Sequence, residues 1–412
     1  MIKSASSGQG LERVFITGVS PLVVSDMSSG YNVAEDIYLL PEFADLCGFH
    51  ETEVGAILAQ VAEKCQFSSE RQAEILQTMR IFYDGYRFSP QRKERIYNPT
   101  LTFYFLKALQ RECVYPQQML DENLAMDRKR IGYIAQLGGA RAVISKALNE
   151  QELLTTATLS QRFGVQEVLT ADQQGLEFLV SLLYYFGVLT LDSLNDLTDY
   201  VLRVPNLVIR HLYAERLREL LLPDVAEREA AQEQVRFFFR TGNLQPLIDF
   251  AEQHLFAVYD NRDYQSANEL TIKTAFLTLL FNDKLYFVDS ETAIRRTYAD
   301  LTLILRPHLR HRQDLRDFIL EFKFLKLGDI KIEENKADEG KPTKRALDGV
   351  AARQMSLHEL RALPAVAAQL HAARIQLQTY RQALQAAYPS NLRLHTYAVV
   401  ALGFDRLIWE EV

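Results

Sequence analysis

Cysteine is scarce in this chain. Cys47, Cys65 and Cys113 are the only three in 412 residues, and they lie far apart without paired spacing. Neither a zinc signature nor a disulfide framework is expected, and a reducing cytoplasm is the simplest setting. The eight histidines show no metal-ligand spacing either. Long apolar runs are also missing. The most apolar stretch, FLVSLLYYFGVLTL from Phe178 to Leu191, is too short to span a bilayer and contains a glycine and two tyrosines. It reads as a buried helix running into a strand. The opening MIKSASSGQG has one early lysine and no apolar segment, so it is not a signal peptide. No membrane partner is expected. There is no excess of positive charge: 46 Lys and Arg against 53 Asp and Glu give a net charge of −7. That argues against a surface that binds polyanions everywhere, but leaves room for a local basic cleft. A phosphate loop is absent as well. EGKPT contains Gly340-Lys341, but Asn335 and Pro342 occupy the positions that need a glycine and a hydroxyl residue, and no strand leads in. No nucleophile elbow occurs.

What remains is a chain long enough for two or three domains, with ordinary globular hydrophobicity. A short buried-type strand, Val14 to Thr17, follows a polar leader, and the sequence nearby supplies no partner for it. Residues 41 to about 222 read mostly as helix. Ser68 and Ser69, followed by Glu70 and Gln72, form a helix start, and Asn98-Pro99 opens another. YDGYRF, Tyr83 to Phe88, reads as an aromatic-flanked turn. Around Leu182 to Leu222 the pattern is helix, short strands about a turn, then helix, as in a winged helix. Asp224 to Gln253 is charged and helical.

From Leu255 the pattern becomes mixed α/β. A helix over 266–282 precedes three strands, KLYFVDSETAIR, TYADLTLILRP and RDFILEFKFLKL. A polar insertion, GDIKIEENKADEGKPTKRALDG, reads as a mobile loop. A long Ala/Gln-rich helix over about 365–387 and two strands, LRLHTYAVVALGF and DRLIWEEV, complete the chain. The fold class is therefore α/β (mixed). A mostly helical region, residues 1–254, precedes a compact domain, 255–412, with a small mixed central sheet.

The charged residues inside RDFILEFKFLKL raise the chemical question. Apolar residues on both faces mark a buried strand, yet Glu321 and Lys323 interrupt it. Buried charges need partners or a metal. Strand alternation puts the two on one face, and Asp300 opens the preceding strand. Two carboxylates suit Mg²⁺ or Mn²⁺, with the lysine placed to position a water or offset phosphate charge. Taken alone, Glu-x-Lys is an ordinary surface salt bridge; Asp300 tips the balance to a metal site. Glu269, near the start of the preceding helix, reads as a further carboxylate for this site or as a first-turn acid favoured by the helix dipole. Gln376 and Tyr380 share a helix face, where they serve a substrate or simply pack with Leu377 and Leu384. Arg306, His308, Arg310, His311, Arg312 and Arg316 form the densest basic patch. It suits nucleic-acid phosphates and a solvated hairpin tip equally. Lys331, Lys336, Lys341, Lys344 and Arg345 extend it.

Asp300, then Glu321-Phe322-Lys323, then Gln376-x-x-x-Tyr380, with Glu269 on a preceding helix, resembles the PD-(D/E)XK nuclease superfamily. The resemblance implies a helix, three strands, a helix and a further strand. It also implies Mg²⁺ on Asp300 and Glu321, water activation by Lys323, a metal contact from Glu269 and substrate contacts from Gln376 and Tyr380. Upstream, ERVFITGVSPLVVSDMSSGYNVAEDIYLLPEFADLCGFHETEV, YDGYRFS and IYNP resemble the later part of the AAA-ATPase-like domain fused to such nucleases in bacteria. Its phosphate loop and acidic Walker-B strand are missing here, and the chain begins near the sensor strand, at Thr17. Thr297-Tyr298 stand before Ala299 where such nucleases carry Gly and a basic residue. The resemblance implies DNA as substrate, no ATP bound by this chain alone, and a partner carrying the missing ATPase half. The competing expectation is a non-catalytic interaction module.

Overall fold

The computed structural model of the chain describes residues 15, 37–116, 118–120, 132, 140–148, 154–160, 175–256, 268–289, 299–334, 343–387 and 392–412. The strand expected at Val14 to Thr17, apart from Phe15, lies outside these residues, as do Thr297, Tyr298, Lys336 and Lys341. The chain is mixed α/β and divides into two compact units, Met1–Tyr213 and Ala214–Val412. Among the described residues, no helix is long and apolar enough to cross a membrane.

The first unit is mostly helical. Helices α1 (Glu51–Cys65), α2 (Ser69–Tyr83) and α3 (Pro99–Glu112) pack through Val54, Leu58, Ile75, Phe82 and Phe105, all buried. Ser68 caps α2 by accepting from the Arg71 N–H at 3.2 Å, and Asn98 caps α3 by accepting from the Leu101 N–H at 3.2 Å. The turn between α2 and α3 needs its glycine. Gly85 has φ +114° and lies against the Pro205 carbonyl, 2.0 Å from where a Cβ would stand. Further along come α4 (Ala140–Leu148), β1 (Leu154–Thr156) and α5 (Leu176–Tyr185). Strands β2 (Thr190–Leu194) and β3 (Tyr200–Arg203) follow, and the three strands form a sheet in the order β1-β3-β2. The division between units falls inside the next helix, α6 (Leu207–Leu221).

One expectation is corrected here. Cys65 and Cys113 are joined by a disulfide, with Cα atoms 5.5 Å apart and a sequence separation of 48. Cys65 ends α1 and Cys113 caps α3, so two helix ends meet that sequence spacing does not connect. Cys47 is free and exposed.

The second unit starts earlier than composition suggests. Helices α7 (Val225–Thr241) and α8 (Gln245–Phe250) pack on the C-terminal sheet. Phe238 of α7 lies 4.5 Å from the Phe318 ring, and the Trp409 indole donates to Gln245 Oε1 at 2.8 Å. Next come α9 (Glu269–Leu280), β4 (Tyr286–Asp289), β5 (Leu301–Leu305) and β6 (Asp317–Leu325). The described ends of the polar insertion are not a plain loop. They pair as antiparallel strands β7 (Lys331–Glu334) and β8 (Thr343–Ala346), anchored where Ile332 packs on the core. Helices α10 (Gly349–Gln354), α11 (Leu357–Ala362) and α12 (Pro364–Ala387) lead to β9 (Leu394–Leu402) and β10 (Arg406–Glu411).

The main sheet has the order β10-β9-β6-β5-β4, with β6 central. Its β6–β9 pair is parallel and the others are antiparallel. Alternation along β6 explains its two apolar faces. Phe318 and Phe322 meet Phe238 and Phe276 of α7 and α9. Ile319 joins the cluster that holds Leu377, Tyr380 and Leu384 of α12. A strand covered on both sides carries apolar residues on both faces.

Candidate active site

The register of β5 on β6 builds the site. Leu301 pairs with Leu320, which brings the preceding residue, Asp300, alongside the middle of β6. Asp300 Oδ2 accepts from the Phe322 backbone N–H at 2.9 Å. Glu321 and Lys323 flank Phe322 and share one face of the strand. Their side chains are joined, Lys323 Nζ donating to Glu321 Oε1 at 2.9 Å.

Helix α9 supplies two more charges. Asn268 caps it, accepting from the Thr271 N–H at 3.1 Å, and this fixes Glu269 as the first helical residue. From there Glu269 Oε1 reaches Lys323 Nζ at 3.5 Å. One turn on, Lys273 is 1% exposed, with Nζ 3.6 Å from Asp300 Oδ1. Nothing in the sequence alone singles out Lys273, although its i,i+4 spacing from Glu269 puts both on one helix face.

Helix α12 brings Tyr380 to the same carboxylates. Burial, then the negative charges of Glu321, Asp300 and Glu269, push the phenol's ionisation upward. Gln376 sits one turn earlier on α12, half-buried. Asp300, Glu321, Lys323, Glu269 and Tyr380 are thus brought together.

Burial dominates the electrostatics. Glu321 is 2% exposed, and its pKa is pushed up to about 7, first by burial and then by the neighbouring Asp300 charge. Burial also raises Glu269, aided by Asp300 and opposed by Lys323. Burial works against the Lys323 charge, but Glu321, Glu269 and Asp300 together hold its pKa above the usual lysine value. Glu321 Oε2 is buried with no hydrogen-bond partner among the described residues. An orphaned buried carboxylate oxygen is costly, about 1–3 kcal/mol.

That oxygen bears on the expected metal. Among the described residues, no group of three or more His, Cys, Asp or Glu could hold a metal ion. Mg²⁺ needs no such group, because it keeps several waters and binds through one or two carboxylates plus substrate phosphate. Glu321, with a vacant acceptor, and the adjacent Asp300 fit that demand. Glu269 is engaged with Lys323.

The basic patch is placed elsewhere. The turn from Arg306 to Arg316 joins the ends of β5 and β6 that lie away from Asp300 and Lys323. Asp317, beside that turn, is four residues from Glu321, about 13 Å along the strand. Arg306 is 1% exposed and donates to the Asp283 carbonyl at 3.3 Å, so it faces no solvent. Arg310 donates to buried Asp317 at 2.6 Å, and Arg312 pairs with Asp314 on the surface. Burial corrects the substrate contact expected of Arg306, while Arg310 and Arg312 pair within the turn, at the end of the strands away from the carboxylates.

A scan against protein-family models finds no match, and neither do searches of curated proteins and of solved structures.

Proposed function

We propose that this chain is a metal-dependent phosphodiesterase that hydrolyses DNA, with a domain of the PD-(D/E)XK type over residues 255–412. The observation that carries the proposal is the gathering of Asp300, Glu321 and Lys323 where β5 meets β6, with Glu321 Oε2 left without a partner among the described residues. Asp300 and Glu321 would hold Mg²⁺ or Mn²⁺. When bound, the ion supplies a water of lowered pKa and offsets charge on the scissile phosphate. Lys323, held by Glu321 and Glu269, orients that water and faces the developing negative charge. Tyr380 and Gln376 on α12 are the substrate-facing polar groups.

Residues 1–254 belong, in the same proposal, to an AAA-ATPase-like region with a winged-helix-like end. The pattern of α5, β2, β3 and α6 supports that reading. No nucleotide site forms part of the proposal. A partner carrying the ATPase half is its natural complement.

The test is Mg²⁺-dependent cleavage of plasmid and single-stranded DNA, with Glu321→Ala and Lys323→Ala as controls. Cleavage by the wild type and loss in both variants is the expected result. Cleavage that survives both substitutions overturns the assignment. A chain that is inert, with no rise in melting temperature on adding Mg²⁺, favours an interaction module.

A further inference from the structure

Lys273 has no task in the chemistry assigned to Asp300, Glu321 and Lys323. It is nevertheless among the most deeply buried charged side chains described, 1% exposed and 3.6 Å from Asp300 Oδ1. An apolar side chain of similar volume would fill that space without the cost of desolvating an ammonium. The charge itself therefore calls for an explanation.

Charge balance supplies one. Among the described residues, the carboxylates of Glu269, Asp300 and Glu321 face the ammonium groups of Lys273 and Lys323, which leaves one net negative charge. One divalent cation turns that into a single positive charge, ready for a phosphate. Two would leave three positive charges in a largely buried place, where uncompensated charge is penalised heavily. The acceptors agree. Asp300 Oδ1 faces Lys273, and Asp300 Oδ2 takes the Phe322 N–H. Glu321 Oε1 takes Lys323, and Glu321 Oε2 is the one fully buried oxygen of these carboxylates without a partner among the described residues.

We infer that Lys273 is a positioning residue standing where a second metal ion would otherwise bind. It holds Asp300 and limits the site to one divalent cation. The inference rests on the metal-dependent reading above, and counting ions separates the failure of one from the failure of the other.

The probe is Mn²⁺, titrated into the full chain without DNA and counted from the paramagnetic resonance signal of the free ion. Wild type is expected to bind one ion per chain, and Glu321→Ala none over the same range. Lys273→Met is expected to bind two, and Lys273→Arg one, because the arginine keeps the charge. Two ions in wild type or in Lys273→Arg overturn the inference and leave the metal site standing. One ion in Lys273→Met at unchanged affinity also overturns it. No ion in wild type, or an ion that Glu321→Ala retains, overturns the metal site itself and the inference with it. If circular dichroism shows Lys273→Met unfolded, the wild-type and Lys273→Arg counts decide.

Discussion

Asp300 Oδ2 accepts the backbone N–H of Phe322 at 2.9 Å, so the sheet itself aims the carboxylate of one strand at the charged pair of the next. Phe322 lies between Glu321 and Lys323, and its ring is held by Phe276 on the opposite face. The carboxylate thus depends on strand register for its position. The same proximity sets Asp300 against Glu321 electrostatically.

Burial of Glu321, reinforced by that repulsion, predicts a pH dependence. The pKa of Glu321 rises from 4.5 to about 7 on folding, so the folded state holds its proton more tightly than the unfolded state. Between those values the folded chain binds more protons, and stability falls as pH rises. The loss is on the order of 3 kcal/mol from this group and levels off above its folded pKa. Urea unfolding at pH 5 and pH 8 measures it. Glu321→Gln, which cannot ionise, is expected to lessen the decline and to be the more stable protein at pH 8. An unchanged decline in the variant contradicts the assignment.

The phenol of Tyr380 can be separated from its ring. The ring belongs to the core cluster with Ile319 and Leu377, and the hydroxyl feels the three carboxylates. Tyr380→Phe is expected to fold with stability within about 1 kcal/mol of wild type. Its kcat/KM on DNA should fall by roughly tenfold to a hundredfold if the hydroxyl meets the substrate or its charge. Steady-state kinetics beside a thermal melt distinguish this from a packing defect.

In the first unit, the Cys65–Cys113 bond closes a separation of 48 residues. Its loss in Cys65→Ser/Cys113→Ser, or in reductant, is expected to lower stability by about 2–4 kcal/mol. Chemical unfolding with and without reductant checks this, and the double variant should be insensitive to reductant.

Asp317 is the structural counterpart of the charged residues at the site. Fully buried, it accepts from the Leu305 N–H at 2.7 Å, the Arg393 N–H at 3.0 Å and Arg310 at 2.6 Å. Asp317→Ala strands these donors and should cost about 3–5 kcal/mol. Arg312→Ala, which removes only a surface pair with Asp314, should change stability by less than about 1 kcal/mol. Equal losses in the two variants would contradict this division.

Much of the second unit was legible because β6 and α12 carry strong local signals. Nine residues with apolar groups on both faces and several aromatics fit a covered strand, and the long Ala/Gln-rich stretch after Pro364 fits a helix. The ends of α2 and α3 were equally clear, since Ser68 and Asn98 satisfy helix N–H groups with their own side chains. The role of the 306–316 turn was not legible. Arginines dense in sequence look alike whether they face solvent or pair inward with Asp317. Lys273 was hidden for the opposite reason: one lysine in an apolar helix carries no signal until a carboxylate from another strand is set beside it.

The sequence by itself determined the strands of the main sheet, the long helices and the caps of α2 and α3, and the side of β6 on which Glu321 and Lys323 stand. These follow from backbone periodicity and from hydrogen bonds closed within a few residues. Only the tertiary structure decided that Cys65 meets Cys113, that α7 joins the C-terminal sheet, and that Asp300 and Lys273 complete the charged cluster. Those contacts depend on strand register and helix docking, which many residues set jointly and no short motif encodes.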